Sequence, residues 1–368
     1  RPGASRTGAE RDGGGQMSKI VDLTAEPLDL ELAEPFEISL GVKHEAANVL
    51  VRIETATGVV GYGEGSPIAP VTGETQAAAL ATARDAAAVV EGRQVGDYRR
   101  IVDDIRSTFP GAVSANLAVE TAILDACCRE RDIPLSALFG GPPRQVETDM
   151  TIPIESVEET VRRVEAAVDS GFDHLKIKTG NDVEADIKRV AAVCEVAPNA
   201  AVKVDANQGW TPKETRTFAD GVTAHDVDLE LIEQPVTADD VRGLADVRRH
   251  VDIPIAADET VFTPADAVHV VEAGAADVIN AKLGKSGPLA VAEIAAIAQA
   301  ANLECMIGCM LESSIGAHTG SHVVAGTGAF SYVDLDSTHL LAEDVVEQSE
   351  GPVHDISGPG HGITPENI

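Results

Sequence analysis

Apolar and polar residues follow two different patterns in the two parts of the chain. From Met17 to about Val60 they alternate, as in "LVRIETATGVVGYGEG", where a Thr-Gly pair marks a turn between strands. Residues 75–91 and 114–130 instead carry apolar residues three and four positions apart, which predicts helices. We therefore expect an α+β capping domain over residues 17–143.

After "PPRQVETDMTIPI" the pattern changes to short apolar strands that alternate with amphipathic helices. Eight strands are predicted, at residues 147–154, 174–178, 201–205, 229–233, 253–257, 277–282, 303–308 and 331–335. The regular alternation favours a (β/α)8 barrel, a modified TIM barrel of (β/α)7-8 type, over residues 144–339. A doubly wound open sheet is the alternative, but no Gly-rich phosphate turn follows the first strand.

Two terminal segments lie outside these domains. Residues 1–16, "RPGASRTGAERDGGGQ", are interpreted as a disordered leader or a remnant of cloning. Residues 340–368 are rich in Gly and Pro, and we expect them to pack back onto the capping domain.

The net charge of the chain restricts the classes of molecule that it can bind. The chain has 60 acidic and 28 basic residues, a formal net charge of -32, and a surface of this sign repels nucleic acid and anionic membranes. Such acidity also suggests a high-salt cytoplasm, where screening weakens self-repulsion. No stretch of 18 apolar residues occurs, and the odd set of five cysteines without a C-x-x-C pair indicates a reduced, cytoplasmic protein.

Ionisable residues fall at the predicted strand ends, where barrel enzymes hold their active sites. Charged side chains inside an apolar barrel are costly unless they are paired or bind metal, so a shared role is expected. The strand ends carry Lys176 and Lys178, Asp205, Glu233, Asp258 and Lys282.

Three of these residues are carboxylates on consecutive strands. Asp205, Glu233 and Asp258 can converge on one point, where a hard divalent cation would relieve their repulsion. Mg²⁺ is the expected ion, and the alternative is that barrel lysines neutralise the three acids.

Two lysines stand one residue apart in "DHLKIKTG". Residues two apart on a strand share a face, so Lys176 and Lys178 are expected to point into the barrel while Ile177 faces the helices. Neighbouring positive charges should lower the pKa of each lysine and provide a neutral base. Lys282 would provide a second base on the opposite side.

The motifs "KIK", "DANQGW", "IEQP", "ADET" and "NAKLGKSG" occur in this order on successive predicted strands. In this the chain resembles the enolase superfamily, specifically its muconate lactonizing enzyme subgroup, from Met17 almost to the end. The resemblance implies one Mg²⁺ per active site and an enediolate formed when a proton leaves the carbon beside a carboxylate.

The resemblance also assigns roles to individual residues. Lys178 and Lys282 would be the acid/base pair on the two faces of the substrate, and Lys176 would tune Lys178. Asp205, Glu233 and Asp258 would be the metal ligands. Asn207 and Glu259 would support those ligands, although either is also compatible with an ordinary loop position.

The stretch "YVDLDSTH" indicates the substrate class. Its Asp-x-Asp pair, Asp334 and Asp336, resembles the dipeptide epimerase signature, in which both carboxylates hold the α-ammonium group of a dipeptide. An acidic composition can also produce such a pair by chance. Glu312 is interpreted either as a pocket-lining residue or as a surface acid.

One position departs from the Ala-Glu epimerases of this family. Gly41 stands where a capping-loop arginine is expected to bind the glutamate side chain. Either Lys43 or His44 replaces it, or the substrate side chain is not glutamate.

The main prediction is thus an isomerase: a Mg²⁺-dependent dipeptide epimerase that inverts the C-terminal residue of an L,L-dipeptide and forms a homo-oligomer. The alternatives within the superfamily are an N-acylamino acid racemase, o-succinylbenzoate synthase and muconate cycloisomerase. A Schiff-base aldolase would also use a barrel lysine of lowered pKa. A non-catalytic binding protein is disfavoured by the complete ionisable set.

Overall fold

The computed structural model describes residues 17–39, 41–347 and 350–366. The prediction for residues 1–16 lies outside the described residues. Within the described ranges, no helix is both long enough and apolar enough to cross a membrane.

The N-terminal part is built on a three-stranded antiparallel sheet in the order β1-β2-β3. The strands are β1 (Ile20–Ile38), β2 (Gly41–Thr55) and β3 (Val60–Gly65). The predicted Thr-Gly turn joins β2 to β3: Gly58 has φ of 81°, and its N–H donates to the Thr55 carbonyl at 2.8 Å.

Helices cover one face of this sheet and form an apolar core with it. They are α2 (Gln76–Asp85), α3 (Ala87–Val90), α4 (Tyr98–Thr108) and α5 (Val113–Arg131). The one-turn helix α1 (Ala69–Thr72) precedes them and has no buried residue. Helix α5 lies directly on β3, where every second residue is glycine. A Cβ atom on Gly63 would lie 2.1 Å from the Ala118 carbonyl oxygen, so only glycine permits this close approach.

The second part contains eight parallel strands that follow one another around the barrel in chain order. They are β5 (Met150–Ile152), β6 (His174–Lys178), β7 (Ala201–Asp205), β8 (Ile232–Glu233), β9 (Ile255–Ala257), β10 (Val278–Lys282), β11 (Glu304–Gly308) and β12 (Tyr332–Asp334). A short strand, β4 (Val146–Glu147), precedes them.

At least one helix lies between each consecutive pair of barrel strands, as predicted. The helices are α6 (Val157–Asp169), α7 (Val183–Val196), α8 (Pro212–Ala224), α9 (Val241–His250), α10 (Pro264–Ala273), α11 (Leu283–Ser286), α12 (Pro288–Ala300) and α13 (Ser314–Thr327). The barrel fold is therefore confirmed, and its main core lies between strands and helices.

Several strands are shorter than predicted. The regular ladder of β8 begins at Ile232, whereas a strand was expected from residue 229. Leu229 and Leu231 are buried and so give the apolar signal of a strand before the regular ladder starts.

The first and last barrel strands approach each other through a mixture of backbone and side-chain bonds. The Asp149 N–H donates to the Val333 carbonyl at 3.1 Å, and the Leu335 N–H donates to Thr148 Oγ1 at 2.7 Å. The barrel is thus nearly closed, and residues just before β5 lie beside β12.

The C-terminal segment contacts both parts of the molecule. Strand β13 (Val353–His354) pairs antiparallel with β4, while Leu341 and Ile363 join an apolar cluster with β1 and β2. His361 Nε2 lies 3.0 Å from the Tyr62 carbonyl oxygen. The domain limits given above stay predictions.

Candidate active site

The carboxyl ends of the parallel strands bring ionisable side chains to one mouth of the barrel. On β6, Lys176 and Lys178 are buried in the interior, whereas Ile177 between them packs in the core against the helices. Parallel pairing then aligns Lys178 with Asp205 on β7, and Asp205 with Glu233 on β8.

The three predicted metal ligands lie together. Asp205, Glu233 and Asp258 are at most 1% exposed, and one carboxylate oxygen of each lies within 4.8 Å of the other two. Glu233 Oε2 accepts no hydrogen bond from the described residues, although Lys176 Nζ lies 3.0 Å away. Burial and the neighbouring Asp205 raise the pKa of Glu233 to about 7. A divalent cation would relieve this repulsion, so the oxygen donor set fits Mg²⁺.

Lysines surround these acids. Lys178 Nζ lies 2.7 Å from Asp205 Oδ2, and Lys282 Nζ lies 2.7 Å from Asp258 Oδ2. Strands β6 and β10 are four positions apart in an eight-stranded barrel, so these two lysines approach the carboxylates from opposite sides.

The prediction that neighbouring lysines lower the pKa of Lys176 is wrong for the groups that the protein itself supplies. Burial does lower this pKa, but Asp334, Glu233 and Asp205 raise it more, and it lies well above its usual value. Burial likewise lowers the pKa of Lys282, and Asp258 more than offsets this. The sequence placed these carboxylates at the same mouth but could not show that they lie within 3.4 Å of Lys176 Nζ.

Asn207 and Glu259 lie beside the ligands. The Asn207 N–H donates to Asp205 Oδ1 at 2.8 Å, and Lys178 Nζ donates to Asn207 Oδ1 at 3.1 Å. Asn207 Nδ2 in turn donates to Glu259 Oε1 at 3.2 Å. Burial, Asp258 and Asp205 raise the pKa of Glu259 to about 8.

Sequence reasoning missed Lys285. Its Nζ donates to Asp258 Oδ1 at 2.6 Å and to the Asn280 carbonyl at 3.0 Å, and the residue is 1% exposed. The signal was present in "KLGK": Lys282 ends β10, and Lys285 follows three residues later on the short helix α11, which begins directly after that strand end.

Asp334 and Asp336 lie on the opposite wall, at the end of β12. Lys176 Nζ donates to Asp334 Oδ2 at 2.6 Å, and the Thr151 N–H donates to Asp336 Oδ2 at 2.6 Å. Burial opposes ionisation of both acids, but Lys176 lowers the pKa of Asp334 to about 2. Burial and the adjacent Asp334 raise the pKa of Asp336 to about 6. Asp334 therefore carries a negative charge at neutral pH.

A cavity of about 100 Å³ lies between the lysines and the Asp334–Asp336 pair. Four lysines line it together with both acids: Lys176, Lys178, Lys282 and Lys285. Its outer side is largely apolar, with Phe36, Ile38, Ile68, Val71 and Leu311. Lys43 also lines this cavity. A larger cleft of about 1010 Å³ lies outside the barrel, and none of the lysines or acids of the mouth line it.

Glu312 lies behind the cavity and does not line it. It is 1% exposed, so the surface-acid interpretation is wrong, and its Oε1 accepts a hydrogen bond from Ser66 Oγ at 3.0 Å. Burial raises the pKa of Glu312 to about 7.

Buried carboxylates outnumber buried lysines at the mouth. Among the described residues, seven carboxyl groups lie in the same part of the barrel as five lysines, an excess of two acids. The acids are Asp149, Asp205, Glu233, Asp258, Glu259, Asp334 and Asp336, and the lysines are Lys176, Lys178, Lys203, Lys282 and Lys285.

Lysines on opposite sides of a carboxylate triad, at the mouth of a (β/α)8 barrel, define an enzyme that can remove a proton from one face of a metal-bound acid and return it to the other. Comparison of the sequence with known protein families places this enzyme within one of them. The chain belongs to the mandelate racemase/muconate lactonizing enzyme family: the model of the family's N-terminal domain matches residues 21–140, and the model described as enolase C-terminal domain-like matches residues 159–367.

Several relatives have named activities. The chain is 39% identical over 329 residues to the L-Ala-D/L-Glu epimerase of Thermotoga maritima. The aligned region covers 89% of this chain and 95% of that relative. A substrate-liganded complex of the L-Ala-D/L-Glu epimerase from Bacillus subtilis superposes with a TM-score of 0.92 at 34% identity, covering 95% of this chain and 100% of that one. The dipeptide epimerase of Enterococcus faecalis, complexed with Mg and L-Leu-L-Tyr, gives a TM-score of 0.90 at 35% identity and covers 94% and 99%.

Proposed function

We propose that this protein is a Mg²⁺-dependent dipeptide epimerase that inverts the α-carbon of the C-terminal residue of an L,L-dipeptide. The observation that carries the proposal is that one cavity holds both the lysines beside the carboxylate triad and the Asp-x-Asp pair. Lysines on opposite sides face the carboxylate triad, and an Asp-x-Asp pair across the cavity prefers a cation. The relatives with dipeptide epimerase names support the same activity.

The metal would be held by Asp205, Glu233 and Asp258. When bound, Mg²⁺ would supply positive charge beside the substrate carboxylate and stabilise the charge that develops when the α-proton leaves. The chain's own residues would move that proton: one of Lys178 and Lys282 would remove it, and the other would return a proton to the opposite face. Lys176, held by Asp334 and Glu233, would tune Lys178.

The substrate's ammonium group would bind Asp334 and Asp336. Among the residues that the structure describes, Asp336 Oδ1 has only the weak donor Cys309 Sγ nearby, at 4.0 Å, so it can accept a hydrogen bond from the substrate. This placement would leave the C-terminal residue's α-carbon between the two lysines, because the dipeptide's opposite end carries the carboxylate.

Lys43 would contact the substrate side chain. It lines the cavity among apolar residues and has no ion pair with another residue in the described ranges, whereas His44 does not line this cavity. An acidic side chain at the C-terminal residue would match its charge. In Lys43→Met, the preference for L-Ala-L-Glu over L-Ala-L-Leu should fall; an unchanged preference would remove Lys43 from this role.

The decisive experiment is a dipeptide library incubated with Mg²⁺ in D₂O and read by mass spectrometry for deuterium uptake. The double variant Asp334→Asn/Asp336→Asn should show a strongly raised KM for dipeptides and a relative gain for N-acylated amino acids, which lack the ammonium group. If the wild type racemises N-succinyl amino acids well and ignores every dipeptide, the N-acylamino acid racemase alternative replaces this proposal.

Three further expectations stay predictions: a cytoplasmic location, adaptation to high salt and a homo-oligomeric state. The net charge of -32 supports the second. Activity and thermal stability that rise with KCl concentration would support it, and optimal activity in dilute buffer would contradict it. Light scattering would measure the oligomeric state.

A further inference from the structure

A buried ion pair lies deeper in the barrel than the proposed ammonium site. Lys203 Nζ is 2.7 Å from Asp149 Oδ2, and both residues are 1% exposed. Lys203 stands two residues before Asp205 on β7, so both side chains face the interior. The ring of Tyr332 lies 6.0 Å from Lys203 Nζ.

Asp149 belongs to a second group of three acids. Its carboxylate lies within 4.8 Å of those of Asp334 and Asp336, through one oxygen of each. Lys176 already neutralises part of this charge, because its Nζ is 2.6 Å from Asp334 Oδ2. Two buried lysines thus adjoin the acids that are proposed to receive the substrate's ammonium group.

Lys203 needs a carboxylate partner because a buried ammonium group without one is costly. Among the described residues, Asp149 is the only acid within ion-pairing distance of Lys203. If Asp149 lost its charge, Asp334 and the half-buried Glu230, whose carboxylates also raise the pKa of Lys203, would become its alternative partners. Lys203 would then compete with the substrate for Asp334.

We propose that Asp149 is a positioning residue that holds the Lys203 ammonium group away from Asp334 and Asp336 and so keeps this pair available for the ammonium group of a dipeptide. The inference rests on the proposed function of the Asp334–Asp336 pair. It explains why a third acid is buried beside two that already repel each other: it balances a lysine, not the substrate.

The test is a double-mutant cycle with Asp149→Asn and Lys203→Met. In Asp149→Asn, an unbalanced positive charge a few ångströms from the site should raise the dipeptide KM about 10- to 100-fold, with a smaller change in kcat. Adding Lys203→Met removes that charge and should return KM to within a few-fold of wild type. Lys203→Met alone should leave KM unchanged or lower it.

Two controls separate positioning from a merely structural role. Inhibition by an N-acetyl dipeptide, which has no ammonium group, should be unaffected by Asp149→Asn. Asp149→Glu, which keeps the carboxyl group, should stay near the wild-type KM. Circular dichroism establishes that each variant is folded, and Lys203→Met carries the test by itself if Asp149→Asn does not fold.

The proposal is overturned by an unchanged dipeptide KM in Asp149→Asn, which is also the result if Asp149 already carries a proton. It is equally overturned if Lys203→Met raises KM, or if the double variant keeps the KM of Asp149→Asn. A wild-type protein that epimerises no dipeptide refutes the proposed function itself, before any variant is compared.

Discussion

Three buried histidines and the half-buried His318 join the C-terminal segment to the rest of the molecule and should make its stability sensitive to acid. His318 and His322 lie one turn apart on α13, and His354 and His361 belong to the C-terminal segment. The rings of His318 and His354 stack at 5.9 Å. His322 Nδ1 accepts a hydrogen bond from the Ser136 N–H at 3.2 Å, which requires this nitrogen to be unprotonated.

Three other ring nitrogens have no nearby acceptor for an added proton. Among the described residues, none forms a hydrogen bond with His318 Nδ1, His322 Nε2 or His354 Nε2, which are all buried. Burial lowers the pKa of His318 to about 4 and the pKa values of His322 and His354 to about 3. Neighbouring histidines lower them further, while Asp355 partly opposes this for His318.

The sign of the effect follows from linkage. Above pH 6.5 these histidines are neutral in both folded and unfolded states, and their neutral burial costs nothing in protonation energy. As pH falls below 6.5, the unfolded chain binds protons that the folded protein cannot, so the free energy of unfolding decreases. At pH 5 each of His318, His322 and His354 should lower the free energy of unfolding by about 2 kcal/mol, and the three together by about 6 kcal/mol. The total free energy of unfolding of a typical protein is roughly 5–15 kcal/mol.

Buried glutamates of raised pKa, such as Glu64, act in the opposite direction, so a variant comparison is needed to isolate the histidines. His322→Asn keeps an acceptor for the Ser136 N–H but cannot titrate. Between pH 7.5 and pH 5 its stability should fall about 2 kcal/mol less than that of wild type, measured by urea unfolding with the fluorescence of the single tryptophan, Trp210. His269→Gln, at an exposed position on α10, is the matched control. Parallel stability curves for wild type and His322→Asn over this range would refute the reasoning.

Three other predictions concern the site and the fold. Glu233→Asn should lower Mg²⁺ affinity and turnover together, as measured by calorimetry and kinetics, and full activity after exhaustive chelation would exclude a required metal. Lys178→Ala and Lys282→Ala should each reduce the rate of epimerisation by about 10²- to 10⁴-fold. Each variant should still allow one stereoisomer to exchange its α-proton in D₂O. Exchange of both stereoisomers at the wild-type rate in either variant would contradict two bases on opposite faces. Gly63→Ala should destabilise the protein by about 1–3 kcal/mol because the new Cβ would lie 2.1 Å from the Ala118 carbonyl oxygen; an unchanged urea midpoint would show that β3 and α5 separate without cost.

Periodicity predicted the fold because it reflects local burial. The alternation of apolar strands with helical segments gave the barrel, and the spacing of Lys176 and Lys178 gave their shared inward face. The same signal could not set strand limits, since Leu229 and Leu231 are as buried as the ladder residues that follow them. Nor did it show why β3 alternates with glycine, which depends on the position of α5 in space.

The site divides between residues that a strand-end rule can find and residues that only the folded barrel brings close. Asp205, Glu233 and Asp258 are of the first kind, because parallel strands end at one mouth. Asp149 and Lys203 are of the second kind: one precedes its strand, the other lies mid-strand, and neither belongs to a recognisable motif.

The residues that sequence reasoning missed share a physical role, which is charge balance. Lys285 lies 2.6 Å from Asp258, and Lys203 lies 2.7 Å from Asp149, so each neutralises an acid that would otherwise repel its neighbours. Counted with every group ionised, the buried residues of the mouth carry two excess negative charges with the two lysines present and four without them. One divalent ion balances only two. Because the partner of Lys285 is a proposed metal ligand, removal of Lys285 should be felt first as a change in metal affinity.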